Sequence, residues 1–187
     1  MRLSAKSRVP SESSDAVGLV VALLVRYPEI ATIVSHPASG TLTLSFAVGT
    51  SLSRTVERDL RESVGDHVRS LLELSGEAFG ELGVECENDE STSFVRITRD
   101  ARSFTREELQ LLVAVLADRF GASLIKSPTV EEDVFEDEGS ADELVDYALE
   151  AMRDPQQQRS LVGFREEKRV LVYFVKSRKK AKARARS

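Results

Sequence analysis

Tryptophan is absent from this chain, aromatics make up only 6% of it, and its 187 residues include one cysteine and two histidines. Each shortage removes a class of chemistry. A single Cys86 cannot close an internal disulfide, so nothing in the sequence calls for an oxidising compartment. Cys86 stands between Glu85 and Glu87, whose carboxylates oppose thiolate formation, so a structural role is expected. One Cys and two His cannot furnish the four N or S ligands of a structural zinc site. There is no Gly-rich lysine loop and no G-x-G-x-x-G fingerprint, so neither phosphate cradling nor dinucleotide binding has local support, and no cofactor is expected.

Long apolar runs are lacking too. The one continuous stretch, "AVGLVVALLV" at 16–25, is shorter than the ~20 residues a membrane-spanning helix needs. Glu12 and Asp15 precede it, and "RYPEI" follows where a signal peptide would carry small residues for cleavage. The run reads as a buried helix of a cytoplasmic protein, with no membrane partner.

What is present is an aliphatic, charged composition, 41% hydrophobic and 30% charged, suited to a globular core of Leu, Val, Ile and Ala. Residues 1–13 are polar and non-periodic and read as a disordered end. Ser14 is placed to cap a helix running to about Tyr27, and Pro28 stops it. From 30 to 48 the pattern is a hairpin around "SHPASG". Leu42, Leu44, Phe46 and Val48 lie on one face and Thr43, Ser45 and Ala47 on the other. Residues 53–75 form the clearest helix, with Val56, Leu60, Val64, Val68, Leu71 and Leu72 in one stripe. A second hairpin follows in "GVECENDESTSFVRITRD", turning near Asn88-Asp89. Thr105 and Glu108 make a capping box for a helix that Gly121 ends, and "ASLIKS" is a short strand candidate. A further helix is expected from a capping box at Ser140 and Glu143 to about Arg153. A third hairpin, "SLVGFREEKRVLVYFV", turns near Glu166 and Glu167.

Helices alternating with antiparallel hairpins predict an α+β fold, a two-layer sandwich spanning 14–175 as a single domain. Within it, 41–127 fit the β-α-β-β-α-β order of a ferredoxin-like domain, with an added N-terminal helix and a C-terminal helix-hairpin. A conflict accompanies that order. Its first strand needs neighbours on both sides, and a hairpin partner at 30–36 competes for one of those places. RNA-recognition domains share the order, but the strands here offer only Phe46 and Phe94 as aromatics and lack the glycine and second aromatic of the RNA-binding signature.

Catalytic candidates are thin. His36 sits in a turn beside Ser35 and Ser39, and His67 at the edge of the helical stripe. Neither has the third group that orients a nucleophile and its base, so no catalytic residue is assigned. Charge is the stronger signal. Seven of the 26 basic residues fall in the last twelve positions, "KSRKKAKARARS", and without them 19 cations oppose 31 acids, a balance of -12. Lys176, Arg178, Lys179, Lys180, Lys182, Arg184 and Arg186 form a basic tail expected to be disordered. The tail is a candidate anchor for RNA or DNA phosphates. Six carboxylates in 131–138, inside an acidic loop at 128–139, are a candidate docking site for that tail or for a basic partner. The spacing around Phe135 and the late Gly139 suit a calcium loop poorly, so no metal is assigned. The sequence points to a non-catalytic binding or regulatory module that contacts nucleic acid through its tail. Second comes a protein–protein adaptor whose charged segments dock to each other or to partners. An enzyme is third.

Overall fold

The structure, a computed structural model, describes residues 11–128, 138–153, 159–166 and 169–175. The basic tail, most of the acidic loop and the first ten residues lie outside them.

Among the described residues, four helices and six strands follow one another as α1 (Ser11–Arg26), β1 (Ile30–His36), β2 (Thr41–Val48), α2 (Arg54–Ser75), β3 (Leu82–Asp89), β4 (Thr92–Asp100), α3 (Arg106–Phe120), α4 (Glu138–Met152), β5 (Ser160–Glu166) and β6 (Arg169–Val175). The strands form one antiparallel sheet in the order β3-β4-β2-β1-β5-β6. The fold is the expected α+β two-layer sandwich. Helices α2 and α3 pack together on the β3 side, and α1, with α4 packed against it, lies over β1, β5 and β6.

The register shows why one face takes all four helices. Val84, Ile97, Leu44, Ile33, Gly163 and Val172 stand side by side across the six strands. Five branched aliphatics meet the helices, and the sixth position is glycine because α1 approaches too closely for a side chain. A Cβ on Gly163 would stand 2.3 Å from Val20 Cγ1. Leu60, Val64, Val68 and Leu72 of α2 are buried as their spacing requires, and Ser53 caps that helix by accepting from the Val56 amide. Gly76 closes it in the left-handed region at φ 70, where a Cβ would be strained.

Three boundaries differ from the sequence reading. Helix α1 begins at Ser11 and α4 at Glu138, so Ser14 and Ser140 stand within the helices instead of at their first boundary. The β3–β4 turn falls on Glu90 and Ser91, with Glu90 at φ 51. "ASLIKS" forms no strand: a single 3-10 turn at Gly121–Ser123 leads into an isolated bridge between Leu124 and Val48. That bridge resolves the topological conflict. β1 pairs with β2 from Thr41 to Phe46, filling the place that a fourth ferredoxin-like strand would take. Only the end of β2, past Ile30, is left for residue 124.

Asn88 does not make the turn. Its amide donates to the Leu52 carbonyl, its carbonyl oxygen accepts from the Leu52 amide at 2.8 Å, and Ser93 Oγ donates to the same oxygen. The pair holds the loop that enters α2 against the end of the sheet.

Candidate binding surface on the helix-free side of the sheet

No described helix covers the opposite face of the sheet, and its side chains change character from one edge to the other. One row across five strands reads Gly83, Thr98, Thr43, Val34 and Val162, and Tyr173 of β6 completes it. The next row reads Glu85, Arg96, Ser45, Thr32, Phe164 and Leu171. The face is thus charged over β3 and β4, hydroxylated over β2 and β1, and apolar over β5 and β6.

Each zone has its own fixing interactions. Arg96 pairs with Glu87 at 2.5 Å on the charged side. Thr43 and Thr98 share a hydrogen bond of 3.0 Å across β2 and β4. Phe164 and Tyr173 stack with ring centroids 5.8 Å apart and planes inclined by 22°. A shallow depression of about 480 Å³ lies over the middle, floored by Thr32, Thr43 and Ser45 and walled by His36, Phe94 and Arg96. Its lining offers hydroxyls, the cation of Arg96, the carboxylate of Glu85 and the rings of Phe94 and His36, a set suited to a polypeptide surface with both polar and apolar groups.

The residues singled out in the sequence do not converge. His36 stands on this face, but Ser35 is buried on the helix side, in register with Leu42 and Leu161. Ser39 Oγ lies 2.7 Å from Thr41 Oγ1 and also donates to the His36 carbonyl, so its hydroxyl serves the turn. His67 Nδ1 lies 2.7 Å from the Ser63 carbonyl oxygen one helical turn earlier, on an exposed stretch of α2. Cys86 is half-buried under α2. Its thiol is pushed above its ordinary pKa by burial and then by Glu57, with Arg61 opposing. The sequence reading credited Glu85 and Glu87 with that effect, but both side chains lie on the opposite face of the strand. Among the described residues, no three His, Cys, Asp or Glu side chains gather to hold a metal ion. No described helix is long and apolar enough to cross a membrane. The seven tail cations lie outside the described residues, as do residues 129–137 of the acidic loop.

The strongest electrostatic feature lies under the helices. Arg99, 1% exposed, forms a bidentate pair with Glu108, which is fully buried. The guanidinium also donates to the Glu81 carbonyl, to Asp100 Oδ1 at 2.6 Å and to Ser103 Oγ at 3.3 Å. Burial pushes Glu108 above its ordinary carboxylate range, against the pull of Arg99. Burial acts on Asp100 too, but the Ser103 hydroxyl, Arg99 and the Ser103 amide outweigh it and hold that carboxyl low. With its donors spent on protein acceptors, Arg99 ties β4 to α3 and is no ligand site. The capping box at Thr105 is therefore half of what the sequence suggested. Thr105 accepts from the Glu108 amide, but the Glu108 carboxylate turns inward to Arg99.

No family profile, curated protein or solved structure matches this chain.

The zoned face was missed at the level of sequence. Its signal was present in "RVLVYFV", which is apolar at both odd and even positions where a half-exposed strand would alternate. Assigning it needed the knowledge that β5 docks on β1.

Proposed function

We propose that this protein is a non-catalytic binding module, an adaptor of the cytoplasm that recognises another protein through the helix-free face of its sheet. The observation that carries the reading is the gradient from Glu85 and Arg96 to Phe164, Leu171 and Tyr173, ending in exposed apolar residues at one edge. An uncovered apolar patch rimmed by polar groups is the usual mark of a protein-contact surface. The test is a photo-crosslinking side chain at Thr43 or Tyr173 in cells. A discrete protein adduct that survives nuclease supports the reading, and an adduct that disappears with nuclease, or no adduct, defeats it.

A second reading rests on charge segregation. Seven cations in a terminal dozen residues, set against a body of -12, suit a phosphate-binding arm. If all seven engage duplex DNA, log affinity falls against log salt with a slope near about -6. Equal affinity of the full chain and of a chain ending at Val175 would eliminate the tail as an anchor.

A further inference from the structure

The sheet has two outer strands, and they are finished differently. β3 carries Glu85, Glu87 and Asp89 along its length. β6 carries Arg169 and then six consecutive apolar residues, Val170 to Val175. The pairing of β5 with β6 runs without a register shift from Ser160–Val175 to Glu166–Arg169. So β6 has no bulge, no proline and no charge past its first residue. Natural sheets use those devices to stop an outer strand from pairing with a further one. At the far end of β6, Tyr173 is 53% exposed, Phe174 37% and Val175 46%, on both faces of the strand. An outer strand keeps half of its amides and carbonyls pointing away from the sheet. Backbone donors and acceptors, with apolar side chains above and below them, are the two requirements for adding a strand.

Charge decides what can occupy this edge. Arg169 opens β6, and Val175 leads directly into "KSRKKAKARARS". Antiparallel pairing of β6 with the same strand of a second copy would bring the Arg169 end of each chain to the tail end of the other. Like charges would then meet at both ends of the contact. A partner segment with apolar residues in the middle and carboxylates at both ends meets the tail cations at one end and, at the other, Arg169 with Arg165 and Lys126 nearby, which outnumber Glu166 opposite Arg169.

We infer that β6 accepts an extended partner segment, apolar in its centre and acidic at both flanks, as a seventh strand of the sheet. This rests on the adaptor reading and names the chemistry of the partner. The flanking cations steer the segment in and set its preference, while the outward backbone groups of β6 supply hydrogen bonds that any sequence can use. Specificity between partners comes from the flanks and from the exposed side chains of Tyr173 and Phe174.

The experiment uses the full chain and two capped peptides, each with three alternating Val-Thr pairs. One carries two Asp at each end and the other two Lys. Binding is measured by titration, and backbone protection by amide exchange. The acidic peptide is expected to bind at least about tenfold tighter at about 50 mM salt. That preference should shrink toward none at about 1 M salt, where the screening length falls to about 3 Å. Amides within 170–175 should become protected and those of β3 should not. Arg169→Glu in a chain ending at Val175 should erase the preference with an unchanged melting temperature. Equal affinity for the two peptides overturns the inference, as does protection at β3. So does protection of β6 without peptide that grows with protein concentration and with salt, which would make the occupant a second copy. If the acidic peptide perturbs Thr43 and Phe94 but leaves β6 unprotected, strand addition is wrong and the binding face stands. If the cellular adducts at Thr43 and Tyr173 are absent, the adaptor reading itself has failed.

Discussion

At the β3 end of the sheet, the helices are stitched to the strands by polar groups: Arg99 to Glu108, Asn88 to Leu52, Arg61 to the Val84 carbonyl. At the β6 end, Val20 and Leu24 of α1 rest on Gly163 by contact between carbon atoms, and the nearest described polar tie is Arg165 to the Tyr27 carbonyl at 3.4 Å. One end is specified by directional bonds and closed by carboxylates. The other is held by shape and left open. Directional bonds fix a register and resist alternatives, whereas apolar packing tolerates an added neighbour. The chain thus separates the end that defines its fold from the end available to a partner.

Five single substitutions, one double substitution and one titration break or sharpen that contrast. The largest loss is expected from Leu60→Asp, which removes a buried leucine and buries a carboxylate at the polar end. A cost of about 5 kcal/mol or more would leave little folded protein by urea titration. A melting temperature unchanged by that substitution would place α2 off the sheet. Glu108→Ala strands the Arg99 guanidinium without its partner and should cost about 3–5 kcal/mol. Arg99→Met with Glu108→Leu should recover most of it, because an apolar pair of similar volume has no charge to desolvate. At the other end, Leu24→Ala should cost about 2–4 kcal/mol through lost packing alone, with no dependence on salt.

Smaller effects follow at the polar end. Asp100 has a folded-state pKa below its unfolded value, so its contribution is complete above the unfolded value, near about pH 4. That contribution is lost as pH falls through the lower folded value. In Ser103→Ala the Asp100 pKa should rise toward the ordinary range, read by carboxyl chemical shifts. An unmoved value would remove the serine from the account. Smallest is Glu87→Gln, which breaks the exposed pair with Arg96 and should cost under about 1 kcal/mol in denaturant midpoint. A larger loss there would mean that the charged zone holds the sheet together as well as presenting a surface.

Local patterns in the sequence carried the elements well where the environment was local. The α2 stripe, the alternation of β2 and the stop at Gly76 each follow from residues within one turn or one strand of each other. Reading failed where a distant element decided the outcome. Thr105 and Glu108 have the spacing of a reciprocal cap, but Arg99 offers the Glu108 carboxylate a buried ionic partner, and the ion pair takes it. "ASLIKS" has strand composition, but β1 already occupies the flank of β2. The apolar faces of β5 and β6 were visible as "SLVGF" and "VLVYFV". Their juxtaposition with the threonines of β2 depends on a hairpin some 120 positions away in sequence docking on β1 (Ser35 against Leu161, for instance). The basic tail gave the loudest signal in the sequence and lies outside the described residues.

The position of β1 has a consequence for how the chain is made. β1 lies between β2 and β5, so its second flank is filled by residues synthesised more than a hundred positions after it. While the ribosome is still producing residues 100–160, β1 is itself an outer strand, and α1 lacks both its α4 neighbour and the Gly163 seat. The segment over β2, β3, β4, α2 and α3 can meanwhile close on its own, since its pairings need nothing beyond residue 124. Completion then moves the open edge outward from β1 to β6. A nascent chain stalled before Ser160 would display a strand that the finished protein conceals, and quality-control factors that bind exposed strands could tell the two apart by that edge alone.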